Sequence, residues 1–279
     1  MVKVLFKLEA VDPNKPNAFS QSPLSLAAYM GHKGVVKILL EREGINPDKP
    51  GADGQTPLSV AVETGHEEVV KILLGRDEVN PDRPDNSGRT PLWHAVADGE
   101  KELVEILLGR EEVNPDRPDN AGRTPLSHAA ANGEEEVAKM LLGRDEVNPD
   151  RPDNSGRTPL SHAAADGEKE LVKILLGRED VNHDKPDNAG RTPLSHAAAN
   201  GEVEVANLLL EPDEVNPNRP DNSGRTPLSH AAADGKEELV KILLGRSEVD
   251  PSRPDNNGVG PLWWATWYEH EGVIRMLIG

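Results

Sequence analysis

The chain has 279 residues, and only 35% of them are apolar and 3% aromatic, which favours an array of small units over one compact globule. Its net charge of −18 disfavours nucleic acid and anionic membranes as partners, because both attract basic surfaces. The chain contains no cysteine, which excludes a disulfide framework and a thiolate metal site.

The sequence begins with MVKVLFKLEAVDPNKPN, whose apolar stretch is too short and too interrupted by charges for a signal peptide. No apolar run approaches the roughly 18 residues of a membrane span, so we expect a cytoplasmic protein. From Val2 the sequence aligns with the segment that starts at Val70, two periods later. We therefore interpret residues 1–17 as a partial repeat, which is either cut from a longer array or an irregular N-terminal cap.

A fixed period of 34 residues runs through the rest of the chain, marked by a proline that mostly stands in the tripeptide TPL. Such a period is typical of an array in which each unit packs on its neighbours. We expect a single array over residues 1–279, with eight repeats after the partial one. Their first helices are predicted to start at residues 22, 56, 90, 124, 158, 192, 226 and 260.

The third repeat shows the local signals of a first helix. Thr90 suits the N-cap, and Pro91 suits the first helical position, where the missing N–H costs no hydrogen bond. Leu92, Ala95 and Val96 follow at the spacing of one helical face. We expect this face to pack inward.

A second helix is predicted after the turn Asp98–Gly99. The segment EKELVEILL places Leu103, Ile106 and Leu107 on an inward face, and Gly109 marks the end of the helix. A polar stretch rich in Pro, Asp, Asn and Gly comes next and predicts an extended, hairpin-like loop. Each unit is thus predicted to be a helix–turn–helix followed by a loop.

The repeat GRTPLSHAAADGEKELVKILL resembles the ankyrin repeat in its TPL helix start, its AA packing pair, its inter-helix Gly and its V..LL second helix. The resemblance covers the whole chain and implies an all-α ankyrin-repeat solenoid with hairpin-like loops. It also implies a protein–protein interaction module. The sequence contains no P-loop and no dinucleotide fingerprint, so we expect no cofactor and no enzymatic activity. The form DNSGRTPLS resembles the near-identical arrays of fungal proteins. The His that follows TPL in the family is replaced by Ser, and a His stands one place later.

The central repeats alternate between two versions, as the residue after each Asp-Asn pair shows. This residue is in turn Ser87, Ala121, Ser155, Ala189 and Ser223. The copied unit is therefore a pair of repeats, 68 residues long, and we infer a recent duplication of pairs.

Five histidines occupy equivalent places in the predicted first helices. Packed helices lie about 8–10 Å apart, so these side chains cannot share a zinc ion, whose nitrogen ligands lie about 2 Å from the metal. We expect no metal site, and we interpret these histidines as surface or groove-lining residues that pack on the His of the neighbouring repeat. A Ser next to a His, as in Ser127 and His128, points about 100° away from it on a helix, which argues against a catalytic pair. The five are His94, His128, His162, His196 and His230.

The loop segment PDRPDNSG has the acidic character of a calcium loop. The positions five, three and one before Gly88 hold Arg83, Asp85 and Ser87, which do not match the ligand pattern, and no Glu follows at the required spacing. We therefore predict no calcium site.

The outer face of the first helices is the predicted contact surface. With the Leu92 face packed inward, His94, Ala97 and Asp98 point outward. We expect this face and the hairpin tips to contact a partner protein, and we expect the chain to be monomeric. Besides the five histidines, the candidate partner-binding residues are Arg83, Asp85, Arg117, Asp119, Arg151 and Asp153 at the tips and the aromatic Trp93, Trp263, Trp264, Trp267 and Tyr268.

The aromatic residues of the last repeat leave two interpretations open. Trp264, Trp267 and Tyr268 fall on the predicted outer face, with Trp263 beside them. They form either a cap that packs on further protein, or a contact for a binding partner, since Trp and Tyr are enriched at binding hot spots. Exposure distinguishes the two, because open rings form an apolar patch that needs a partner.

Binding is the predicted function, and two other functions stay open at this point. The chain could be the ligand-sensing C-terminal repeat region of a fungal NTPase-type immune receptor, which rests on family analogy alone. It could also be a structural spacer or assembly scaffold.

Overall fold

The computed structural model describes residues 12–279, which contain sixteen α-helices and no β-strand. No helix among these residues is long and apolar enough to cross a membrane. Residues 1–11 of the predicted partial repeat lie outside the described part of the chain. Each of the eight predicted repeats contributes two helices.

The first helix of each repeat begins at the recurring proline. These helices are α1 (Pro23–Tyr29), α3 (Pro57–Glu63), α5 (Pro91–Ala97), α7 (Pro125–Asn132), α9 (Pro159–Asp166), α11 (Pro193–Asn200), α13 (Pro227–Ala233) and α15 (Pro261–Trp267). The second helices are α2 (Lys33–Leu40), α4 (Glu67–Leu74), α6 (Lys101–Leu108), α8 (Glu135–Leu142), α10 (Lys169–Leu176), α12 (Val203–Leu209), α14 (Glu237–Leu244) and α16 (Glu271–Ile278).

The chain divides into two compact units. The N-terminal unit comprises the residues up to Pro125 together with Lys139–Val147, and the C-terminal unit comprises Leu126–Ala138 together with Asn148–Gly279. In the N-terminal unit α1, α3 and α5 pack in succession, as do α2, α4 and α6. In the C-terminal unit α9, α11, α13 and α15 pack in the same way, and α10, α12, α14 and α16 follow them on the other side of each repeat.

The N-terminus of each typical first helix is fixed by a threonine and a serine. The Thr158 hydroxyl accepts a hydrogen bond from the backbone N–H of Ser161, and the two hydroxyl oxygens lie 3.1 Å apart. In α5 the Thr90 hydroxyl likewise accepts the backbone N–H of Trp93, which stands in the place of the serine, and Pro91 is the first helical residue, so both predictions are confirmed. The serine that replaces the usual family histidine thus completes the helix cap.

The apolar face predicted for α5 is the core of its repeat. Leu92, Ala95 and Val96 are fully buried, as predicted. In α6 the prediction was wrong for Ile106, which is only half-buried. The buried positions instead form two i, i+4 pairs, because α6 packs on the preceding second helix α4 as well as on α5. They are Leu103, Val104, Leu107 and Leu108.

The short turn between the two helices requires a left-handed residue. Gly99 adopts a φ of +67° there, which glycine reaches without steric cost. The last repeat carries Glu269 at this place, and it adopts a φ of +60°. Ser20 is the other non-glycine residue with positive φ in the described chain.

The loops are bonded to the loop of the preceding repeat. In the C-terminal unit, Asn222 donates its backbone N–H to the carbonyl of Ala189 and its side-chain Nδ2–H to the carbonyl of Asn188, both at 2.9 Å. Arg219 donates to both the carbonyl and the carboxylate of Asp184, at 3.0 and 2.9 Å. The loops are therefore held in place by neighbours rather than free to move as separate hairpins.

Candidate functional site

The five equivalent histidines are buried, so the prediction that they face solvent was wrong. Their exposed fractions lie between 2% and 8%. The reason is that a neighbouring repeat and the hairpin-like loop of the same repeat both cover this side of the first helix. The buried residues are His94, His128, His162, His196 and His230.

Three of the five equivalent histidines, His162, His196 and His230, each pair with an aspartate nine residues earlier in the same repeat. Nε2 of His196 lies 3.0 Å from Oδ2 of Asp187, and His230 and Asp221 repeat this distance. A carboxylate only accepts hydrogen bonds, so Nε2 carries the proton. The expected packing of His on His is thus replaced by a His–Asp pair.

An arginine of the preceding repeat completes this arrangement. The Nη2 atom of Arg157 lies 3.0 Å from Nδ1 of His196, and it donates because Nδ1 of a neutral imidazole is an acceptor. Burial, followed by the positive charge of Arg157, lowers the pKa of His196 to about 4. The imidazole is therefore neutral at pH 7 and bridges the Asp187 carboxylate to the Arg157 guanidinium. We call this arrangement the Arg–His–Asp network.

The aspartate of the network also shapes the hairpin-like loop. Oδ1 of Asp153 accepts the backbone N–H groups of Ser155 and Arg157 at 2.8 and 2.9 Å. Burial opposes the charged form of Asp153, but these bonds, the Ser155 hydroxyl and His162 outweigh it and lower the pKa of the carboxyl group. The aspartates predicted to be exposed at hairpin tips therefore face inward, which corrects the prediction for Asp85, Asp119 and Asp153.

The hairpin-tip arginines remain at the surface. The side chains of Arg83 and Arg117 are about 40% exposed, and each donates to an aspartate of the preceding repeat, Asp48 and Asp82, at 3.1 and 3.0 Å. Arg151 is half-buried. The guanidinium groups of Arg83 and Arg117 thus hold adjacent loops together, and part of each group remains exposed to solvent.

The Ser–His neighbours do not form a nucleophile and base. The Ser161 hydroxyl pairs with Thr158 at 3.1 Å, whereas Nε2 of His162 pairs with Asp153 at 3.0 Å. Nucleophilic catalysis requires the base within hydrogen-bond reach of the hydroxyl. The arrangement serves the helix cap and the loop instead.

Comparison with known families agrees with this architecture. The family model for ankyrin repeats (three copies) matches residues 1–85, 77–153, 145–221 and 214–279. The chain belongs to the ankyrin-repeat family. The ankyrin array is an all-α repeat solenoid with a period of about 34 residues, as predicted. No curated protein matches the sequence.

The last ankyrin repeat exposes a cluster of aromatic rings. Trp263, Trp267 and Tyr268 are 44%, 65% and 52% exposed. The rings of Trp263 and Trp267 are stacked, with centroids 5.1 Å apart and an angle of 11° between their planes. We call Trp263, Trp267 and Tyr268 the aromatic surface.

Trp264 differs from these three residues, because it occupies the histidine position of its ankyrin repeat. It is half-buried, and its Nε1–H donates to Oδ2 of Asp255 at 3.2 Å. The guanidinium of Arg225 lies 3.6 Å from the centroid of its ring. Trp264 therefore takes the place of the histidine in the Arg–His–Asp network, and its predicted contact with a partner stays a prediction.

Trp93 is half-buried on α5. Its ring packs edge-on against His94, with centroids 5.2 Å apart, and the Arg89 guanidinium lies 5.1 Å from its ring centroid. Its predicted contact with a partner stays a prediction.

Sequence analysis missed the arginines of the network and the aspartates of the later ankyrin repeats. Two spacings that recur in the printed sequence would have indicated them. One is the nine-residue separation of Asp187 and His196, and the other is the separation of 39 residues between Arg157 and His196. Long-range pairs of this kind become visible only when the repeats are aligned on their period.

Proposed function

We propose that this ankyrin array binds a partner protein through the aromatic surface Trp263, Trp267 and Tyr268, with the half-exposed hairpin-tip arginines as secondary contacts. Ankyrin repeats are generally protein–protein interaction modules. The observation that carries the proposal is the exposure of three large rings on one short helix and the residue that ends it. Aromatic residues dominate binding hot spots because they bury much apolar area at little cost in side-chain entropy.

The stacked rings of Trp263 and Trp267 support this role. Each indole restrains the other, so less conformational freedom is lost when a partner packs on them. Trp264 packs edge-on against Trp263 and stacks on Tyr268, and it is itself held by Asp255 and Arg225, so it supports the aromatic surface. The buried histidines support this role by stabilising the repeats, and they do not contact the partner directly.

The test compares two sets of substitutions on the same helix pair. The triple variant Trp263→Ala, Trp267→Ala, Tyr268→Ala removes the aromatic surface and leaves Trp264 in place. Ile278→Ala is the matched control, because it also removes an exposed apolar side chain of the last ankyrin repeat. Affinity capture from extracts of the source organism, with quantification of the bound proteins, provides the measurement.

We expect the triple variant to lose at least one partner that the wild type and the Ile278→Ala variant retain. Loss of two or more hot-spot residues typically weakens binding by about 100-fold or more. Equal capture by all three proteins contradicts a contact through the aromatic surface.

A further inference from the structure

A cleft of about 240 Å³ lies in the N-terminal unit, between the first two described ankyrin repeats. It is distinct from the aromatic surface, which belongs to the last ankyrin repeat. Loop residues and residues of α1 and α3 form its walls. The residues that matter for its chemistry are Phe19, Gln21, Tyr29, Gln55, Val60 and Glu63.

The cleft lies where the Arg–His–Asp network is missing. Aligned on the 34-residue period, Gln21 stands at the place of Arg157, and Val60 at the place of His196. Gly51 likewise replaces Asp187 and lines the cleft. Three shorter side chains thus leave open the space that the Arg157 guanidinium and the His196 imidazole fill at the equivalent place.

The carboxylates of the cleft are oriented and lack a cationic partner among its lining residues. The Gln55 side chain donates to Oε2 of Glu63 at 2.7 Å, and its backbone N–H donates to Oδ1 of Asp53 at 3.0 Å. Each carboxylate keeps its second oxygen for another donor. No lysine or arginine is among the residues that line this cleft.

Two aromatic rings line the same cleft as these carboxylates. Phe19 is 79% and Tyr29 is 51% exposed. Aromatic faces attract cations, and the planar guanidinium group stacks on them more readily than the compact ammonium group of lysine. The same chain already shows this contact at the equivalent place of its last repeat pair, where the Arg225 guanidinium covers the Trp264 ring at 3.6 Å.

We propose that the cleft binds the guanidinium group of an arginine on a partner protein. The incoming group occupies the space of the absent network arginine, stacks on Tyr29 or Phe19, and donates to Glu63 and Asp53. Charge complementarity favours this ligand, since a guanidinium is positively charged and its five N–H donors allow it to bond to two carboxylates at once. The proposal rests on the proposed protein-binding function for the nature of the partner, but not on the aromatic surface.

The two tyrosines of the chain provide a direct test, because Tyr29 lies in the cleft and Tyr268 lies in the aromatic surface. Incorporation of 3-fluorotyrosine gives two ¹⁹F signals, which the Tyr268→Phe variant assigns. The probe is Nα-acetyl-L-arginine methylamide. Its control is Nα-acetyl-L-citrulline methylamide, which has nearly the same shape and carries no charge. We expect the arginine probe to shift the Tyr29 signal in a saturable way, and the citrulline probe to leave it in place.

Three variants relate this response to the cleft. Glu63→Gln is expected to weaken arginine binding about fivefold, as for a partly exposed ion pair. Glu67→Gln on α4 removes the same charge outside the cleft and is expected to leave binding unchanged. Gln21→Arg supplies the missing guanidinium from within the chain and is expected to abolish the response. Thermal unfolding of each variant checks that the fold is retained.

Several results overturn the proposal. These are a Tyr29 signal that does not move, one that moves equally with the citrulline probe, and one whose response is weakened as much by Glu67→Gln as by Glu63→Gln. The outcome is separable from that of the proposed function. A failed capture experiment at the aromatic surface leaves the Tyr29 response intact, and a silent Tyr29 signal leaves the capture result unaffected.

Discussion

Trp264 donates its indole Nε1–H to Oδ2 of Asp255 at 3.2 Å, and so makes the same bond as His230 makes to Asp221 one repeat earlier at 3.0 Å. Two side chains of different size and chemistry therefore donate to equivalent buried carboxylates in successive repeats. In both repeats a ring N–H from this position of the first helix reaches the carboxylate that shapes the loop.

Removal of this donor is expected to destabilise the last repeat. Trp264→Phe keeps a ring for Arg225 to stack on but leaves Asp255 without the indole N–H, at a cost of about 1–2 kcal/mol. Trp264→His restores an N–H donor and is expected to be the more stable of the two variants, although histidine is less apolar. Urea unfolding of both proteins provides the comparison. Equal stability of the Phe variant and the wild type contradicts the role of this bond.

The network predicts that stability falls in mild acid. Burial lowers the pKa of His196 to about 4 in the folded chain, whereas the unfolded chain titrates near the ordinary value of 6.5. Below pH 6.5 the unfolded state therefore binds more protons, so stability is lost as the pH falls from 6.5 towards 4. For His196 alone the loss reaches about 3 kcal/mol at the lower end. The charged groups that face its imidazole are Arg157, Asp187 and Arg191.

A substitution isolates this histidine from the other titrating groups. His196→Gln keeps a donor for Asp187 and cannot be protonated, so its unfolding free energy should depend less on pH between 6.5 and 4 than that of the wild type. His32→Gln replaces an exposed histidine and should follow the wild-type curve. Parallel curves for the wild type and His196→Gln would show that the buried imidazole does not remain neutral.

Replacement of Glu269 by glycine is expected to relieve the backbone strain at the last inter-helix turn. Glu269 adopts a φ of +60° at a place where the seven other described repeats have glycine. Glu269→Gly is predicted to stabilise the chain by about 1 kcal/mol, because glycine adopts this conformation without steric cost. Glu269→Ala removes the same side chain but keeps the strain, so it should give no such gain. Thermal unfolding distinguishes the two, and equal melting temperatures contradict the explanation.

Periodicity was sufficient to predict the fold. Thr90, Pro91 and the Leu92 face are local signals, and each behaves in the structure as expected. The error at Ile106 arose because a second helix packs on two kinds of neighbours at once, which widens its buried face beyond the single stripe expected from one partner.

The site was predicted less well, for a physical reason. Helical geometry places His196 opposite the Leu194 face, which suggests exposure if only the helix is considered. The loop of the same repeat folds over that side, and the preceding repeat adds Arg157. Burial at such a position depends on partners 9 and 39 residues away, which the pattern of one helix does not contain. The exposure of the aromatic rings of the last repeat could not be predicted either, because the sequence pattern allows both a packed cap and an open contact.

The loop asparagines that bond to the loop of the preceding repeat, which we call the asparagine ladder, are expected to stabilise the packing of adjacent repeats. Asn222 donates its side-chain N–H to the carbonyl of Asn188 at 2.9 Å, and Asn256 makes the same bond to Asn222. Asn222→Ala removes one such bond and should lower the unfolding free energy by about 0.5–1.5 kcal/mol.

Asn257→Ala is the matched control for this prediction. Earlier repeats carry Ser or Ala at this place, as at Ser223 and Ala189, so the change should have little effect on stability. Urea unfolding measures both variants, and hydrogen exchange at the backbone N–H of Asn222 reports on local opening. If Asn222→Ala and Asn257→Ala unfold at the same urea concentration with unchanged exchange, the side-chain ladder makes no net contribution and the backbone bonds alone hold the loops together.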